Sequence, residues 1–230
     1  MKRTLFIPMI LIAAQAACAG FTIEPQVLAL KVNRGERVGW VELTHTGGSP
    51  VAVELTAHKR VLDLDGELMA DSLLKTDDFM IYPSQVLLYP GGKARAQVVL
   101  RGKGSITADK AYILYAKEVP FDFPEEAGRK VATDISMTVA FQTIIALEVN
   151  KSGSLTFVSS KALDSGKVEV IVENKSSGRV STEHIYIMAD GKKITDITGI
   201  GNSIMPGQKR RFIFKHNKPL TEKEFRWGTN

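Results

Sequence analysis

Apolar residues in this chain recur at every second position, in short runs bounded by turn signals, and that period points away from helices and toward strands. Residues 37–44 (RVGWVELT), 51–58 (VAVELTAH), 95–101 (ARAQVVLR) and 111–119 (AYILYAKEV) are such runs, separated by turn signals such as Gly47-Gly48-Ser49-Pro50 and Pro90-Gly91-Gly92. Asp71–Phe79, where Leu73 and Leu74 lie among polar residues, is read as a loop. After residue 151 the pattern restarts with 155–159, 167–174, 180–188, 193–197 and 209–215. Lys151-Ser152-Gly153-Ser154, free of apolar residues, lies between the halves and reads as a hinge. The fold class is all-β: two sandwich domains, 20–150 and 151–230, the second short enough to leave open the loss of a strand or two.

The N-terminus reads as a signal peptide over residues 1–19. Lys2 and Arg3 precede an apolar run from Leu5 to Ala14, and Ala17-Cys18-Ala19 ends it. The run is too short to cross about 30 Å of hydrocarbon, so no membrane insertion is expected. Lipidation of Cys18 is the alternative, with Gln15 standing where such sites usually carry Leu. Cleavage before Gly20 removes the single cysteine, and disulfides and thiolate zinc sites with it. The 211 residues then left suit two domains of ~100 residues each.

The formal charge of +5 is scattered, without the basic run or aromatic interleaving of a nucleic-acid groove, so no nucleic-acid partner is expected. His45, His58, His184 and His216 lack metal-ligand spacing and read as surface or turn residues. Asp63, Asp65 and Glu67 fall short of a calcium loop and fit a hairpin turn, as does Asp190-Gly191. No Gly-x-Ser-x-Gly elbow or phosphate loop is present, so neither enzyme activity, metal nor cofactor is expected. Trp40 and Trp227 are expected to pack in a core or at a domain edge.

From Ile135 to Val149 seven of the eight odd positions are large and apolar. As one strand this segment would run about 50 Å at roughly 3.3 Å per residue, longer than a small domain covers. Two readings stand: two strands joined by a bend near Thr143, each in its own domain, or one long strand partly offered to a partner. An exposed apolar edge without charge or proline, as from Ile135 to Ala146, invites pairing by strand addition.

Several segments resemble, in order, the PapD-like periplasmic chaperones of pilus and fimbrial assembly. They are Pro83 through Pro90-Gly91, Ala111–Pro120, Met137–Thr143 with its Gln142-Thr143 ending, Val172-Glu173-Asn174-Lys175, and Ser203-Ile204-Met205-Pro206-Gly207. The resemblance implies two Ig-like domains joined at an angle with a cleft between them. It implies a periplasmic chaperone, without enzyme activity, that binds pilus subunits by donor-strand complementation and delivers them to an outer-membrane usher, in fimbrium biogenesis and cell wall organization. The inserted residues would be Ile135, Met137, Val139 and Phe141. Self-association of the free chain stays open, and a secreted structural or adhesive Ig-like protein is the alternative.

The chain departs from that pattern where the family holds the subunit's terminal carboxylate with an Arg and a Lys. Gln26 or Val27 and Ala146 occupy those positions, and Asn150-Lys151 replaces an Arg-Pro ending. Lys31, Lys117 and Lys151 are the candidate substitute anchors. Three inserted apolar side chains at about 1.5–3 kcal/mol each outweigh one charged hydrogen bond at about 1.5–3 kcal/mol, so strand addition survives the loss, with a less defined register.

Overall fold

The computed structural model describes residues 20–102, 104–120, 139–149, 151–164, 166–197, 201 and 203–229. In the first half the period-two runs become β1 (Phe21–Glu24), β2 (Val27–Leu30), β3 (Val38–His45), β4 (Val51–Lys59), β5 (Phe79–Tyr82), β6 (Gln85–Leu88), β7 (Lys93–Leu100), β8 (Lys110–Val119) and β9 (Ala140–Leu147). They form a four-stranded sheet, β1-β3-β7-β5, facing a five-stranded one, β2-β9-β8-β4-β6. Alternation decides which side chains meet between them: Val41 and Leu43 of β3 point inward while Trp40 and Glu42 point out. Phe21, Ile23, Leu43, Val53, Leu114, Ile145 and Leu147 fill this core. Pro25 lacks the N–H that would continue β1, and the chain re-enters as β2 in the opposite sheet, parallel to β9.

The second half builds β10 (Leu155–Leu163), β11 (Lys167–Asn174), β12 (Ile185–Ala189), β13 (Lys192–Ile194), β14 (Lys209–Lys215) and β15 (Arg226–Thr229). Two three-stranded sheets, β10-β11-β14 and β13-β12-β15, enclose a separate core around Val168, Val170, Ile187, Phe212 and Phe214. The chain is therefore all-β, with two sandwiches and two cores. Asn174 ties together the two turn motifs of this half. Its amide nitrogen donates to the carbonyls of Gly178 (2.8 Å) and Ile204 (2.9 Å), while its side-chain oxygen accepts from the Ser176 N–H and hydroxyl.

Several expectations change. The segment 180–188 is a strand only from Ile185, with Val180 held by one bridge to Ile204, and Ala70–Leu73 forms a 3-10 turn where a loop was expected. His45 and His58 are buried, not surface residues, because carbonyls reach them: Ser49 O lies 2.7 Å from His45 Nε2, and Leu73 O lies 2.8 Å from His58 Nδ1. Trp40 is 55% exposed on the outer face of the four-stranded sheet, whereas Trp227 packs against the second core and donates to Leu155 O at 3.2 Å. The hairpin readings hold. Leu62 bridges Leu68, and Asp63 Oδ1 accepts from the N–H groups of Asp65 and Glu67. Asp190 and Gly191, at φ of 49° and 72°, make the left-handed two-residue turn between β12 and β13.

The bend near Thr143 does not exist. β9 pairs with β8 without interruption from Ala140 opposite Lys117 to Leu147 opposite Lys110, and Thr143 lies fully buried opposite Leu114. The strand stays in the first sandwich throughout. Ile135 and Met137, like the segment 1–19, lie outside the described residues.

Candidate functional site

β9 is covered on only part of its length. β8 pairs with all of it, but β2 begins only at Val27 opposite Ile144. Which backbone groups this leaves uncovered follows from the alternation of an antiparallel strand. Glu118 donates to Val139 O, so odd positions face β8. Ile144 donates to Gln26 O and Glu148 to Leu30 O, so even positions face β2. The N–H and C=O of Ala140 and Gln142 therefore point to a side where, among the described residues, no strand pairs. That is an edge open for one more strand.

The odd side chains leave the core along the same line. Leu147, Ile145 and Thr143 are fully buried, whereas Phe141 and Val139 are half-buried. Phe141 packs edge to face on Phe21, ring centroids 5.0 Å apart, at the end of the chain's own core. Of the proposed inserted residues, Phe141 thus already has an internal partner, and Val139 is the first to stand beyond it.

The other face of this sheet carries the positions where the family's cations were expected. Ala146 is buried and flanked by Ala29 on β2 and Ala111 on β8. Val27 is half exposed opposite Ile144. Lys31, Lys117 and Lys151 are all exposed and lie apart: Lys31 just beyond β2, Lys117 opposite Ala140, and Lys151 in the connection. The structure does not bring these three together.

Sequence reasoning missed the residues that join the sandwiches. Asp109 is buried, and its Oδ1 accepts from the Val149 N–H at 2.7 Å while its Oδ2 accepts from the Arg179 N–H at 2.8 Å. The Asp109 N–H donates to Ser177 O at 2.9 Å, and Arg179 Nη2 lies 3.1 Å from Glu148 Oε1. The supposed hinge is pinned here: a Cβ on Gly153 would overlap the Arg179 carbonyl, and one on Gly178 that of Lys151. A second contact runs from the 63–67 turn to β14. Arg211 donates its N–H to Leu64 O at 2.7 Å, and its Nε lies between Asp65 (3.5 Å) and Glu169 (3.4 Å). Gly66, at φ +87°, lets Arg210 lie where a Cβ would come within 2.5 Å of Nη1. No local signal marked these residues, because their partners are distant in sequence.

No protein-family model matches the sequence, and no curated protein matches it. Solved structures do match in fold. The chain is similar to the E. coli chaperone DraB, with TM-score 0.55, 10% identity and 86% of each chain covered. It is similar to the class 5 fimbriae chaperone CfaA, with TM-score 0.56, 14% identity, and 91% of this chain and 98% of that one covered. The Salmonella enterica SafA pilin in complex with the SafB chaperone matches with TM-score 0.52, 13% identity, and 84% and 82% covered. By its two sandwiches and their order along the chain, this protein has the PapD-like fold of the chaperones of pilus assembly.

Proposed function

We propose that the chain is a periplasmic chaperone that binds pilus or fimbrial subunits by lending them the strand from Ile135 to Phe141, and passes them to an outer-membrane usher. The observation that carries this reading is the half-covered β9, whose Ala140 and Gln142 backbone groups face a side where no strand pairs among the described residues. Pairing there supplies main-chain hydrogen bonds, and the alternating apolar side chains supply the register and most of the affinity, at about 1.5–3 kcal/mol for each one fully buried. The fold shared with chaperones supports the same reading.

The test is co-expression of the mature chain in a periplasm with its neighbouring secreted proteins, followed by capture and mass spectrometry. A small β-rich subunit recovered in equal amount, and lost with Val139→Asp, is the expected result. Capture of no partner would reject the reading. The packing of Phe141 on Phe21 favours a second one, a secreted structural or adhesive protein whose odd face is entirely internal. On that reading Val139→Asp unfolds the chain.

A further inference from the structure

The crossover from β1 to β2 leaves part of β3 uncovered as well. Thr46 donates to Gly20 O beside the β1–β3 ladder, so the even positions of β3 turn their backbone groups toward β1. His45 donates to Gly92 O and Leu100 donates to Arg37 O, so the odd positions face β7. β1 pairs only as far as Glu24 opposite Glu42. Gln26, which would come opposite Trp40 had β1 continued, gives its carbonyl to Ile144 in the other sheet. The N–H and C=O groups of Trp40 and Val38 therefore point to a side where, among the described residues, no strand pairs.

A groove of about 700 Å³ lies at this edge, lined by Glu24, Pro25, Gln26, Trp40, Glu42 and Arg95. Trp40 and Val38 are about half exposed, and the ladders continue them into the rows Trp40–Gln97–Tyr82 and Val38–Val99–Met80, so four exposed apolar side chains share the outer face beside the edge. No residue from Val38 to Val41 is a proline or carries the charge that ordinarily blunts an edge. Charge then narrows what fits. Glu42 is neutralised by Lys93 at 2.8 Å and Arg95 at 2.9 Å, whereas the exposed Glu24 carboxylate has no hydrogen-bond or ion-pair partner among the described residues. A strand added along the line of β1, antiparallel to β3, places the side chain opposite Trp40 on the same outer face as Glu24, about 7 Å further on. A Lys or Arg there meets the Glu24 carboxylate and the indole ring together. The next residue turns inward beside Gly39, where a Cβ would come within 2.7 Å of Leu28 Cδ1, and the one after it lies against Val38, so both are apolar.

We infer that the β3 edge from Val38 to Val41 is a second strand-addition site, for an extended segment of another polypeptide that carries a Lys or Arg followed by two apolar residues. It stands apart from the chaperone reading, since it uses neither β9 nor a pilus subunit.

The probe is the peptide acetyl-Thr-Arg-Val-Val-Thr-amide, titrated into the mature chain and followed by backbone amide NMR and hydrogen exchange. Saturable shifts and slowed exchange are expected at Val38 and Trp40, with Ala140 and Gln142 unchanged. Glu24→Gln should weaken binding about 2- to 5-fold, and Trp40→Ala about 5-fold or more. Both side chains are exposed, so both variants should melt with the natural chain. A peptide with proline in place of its second valine cannot donate to Val38 O and should not bind, a result that does not depend on how any variant folds. Equal binding by the natural chain and both variants, binding of the proline peptide, or protection at Ala140 and Gln142 in place of Val38 and Trp40 would overturn the site. Sedimentation of the free chain as a dimer that Trp40→Ala breaks would overturn the occupant, because a second copy would then cover the edge. Subunit capture and its loss with Val139→Asp decide the chaperone reading separately, whichever way the peptide result falls.

Discussion

Asp109, which is buried, and Arg179, 70 residues apart, are joined by a hydrogen bond of 2.8 Å from the Arg179 N–H to the Asp109 carboxylate. The other oxygen of the same carboxylate holds Val149 at the end of β9, so one side chain fixes where the open strand leaves the first sandwich and where the second begins. Asp109→Ala strands both N–H groups. The expected loss is about 2–5 kcal/mol in urea unfolding, because two N–H groups lose a charged acceptor. Asp109→Asn keeps one acceptor and should fall between. A midpoint unchanged by Asp109→Ala would refute this role for the junction.

Thr143 is fully buried and its hydroxyl has no hydrogen-bond partner among the described residues. Thr143→Val replaces that hydroxyl with a methyl group of nearly the same shape, so the chain should become more stable by about 1 kcal/mol. Equilibrium unfolding measures it, and a loss of similar size would mean that the hydroxyl is satisfied in solution.

Phe141 and Val139 should separate by phenotype. Phe141→Ala removes the ring packed on Phe21 and should cost about 1–3 kcal/mol, because the ring is only half-buried. Val139→Asp, beyond that contact, should cost less than about 1 kcal/mol and abolish subunit capture. Thermal unfolding and capture, run on both variants, distinguish the roles.

His58 makes stability depend on pH. Burial is the largest influence and lowers its pKa from the ordinary 6.5; the Leu73 carbonyl opposes the shift and the Lys75 charge adds to it. The unfolded chain therefore takes up this proton first as pH falls. The contribution is complete above 6.5 and is lost as pH drops from 6.5 toward the lower folded value. The urea midpoint should decline between about pH 7.5 and 5.5, and His58→Gln should flatten that decline. An unchanged slope in the variant would assign the effect elsewhere.

What could be read in advance depended on how local each cause was. β11 and β14 coincide with the runs 167–174 and 209–215, because long two-residue alternation is written in consecutive positions. β2, β5, β6 and β15 are four residues each, too short to stand out, and Pro25 and Pro83 lie just before β2 and between β5 and β6. The apolar parity of the 135–149 segment marked the right face, but not the point where that face leaves the core. That point is set by where β2 stops pairing, at Val27 opposite Ile144. Asp109 and the buried His58 were invisible for the same reason, since carbonyls and amides brought from far along the chain define their surroundings.

The strand-lending claim is tested most directly by amide hydrogen exchange at Ala140 and Gln142, measured in the free chain and in its complex with a captured subunit. The account predicts that both amides exchange rapidly when the chain is free and become strongly protected in the complex, while Phe141 and Thr143, already bonded to β8, change little. Equal exchange at Ala140 and Gln142 in the two states would mean that a partner binds elsewhere, and would contradict the claim.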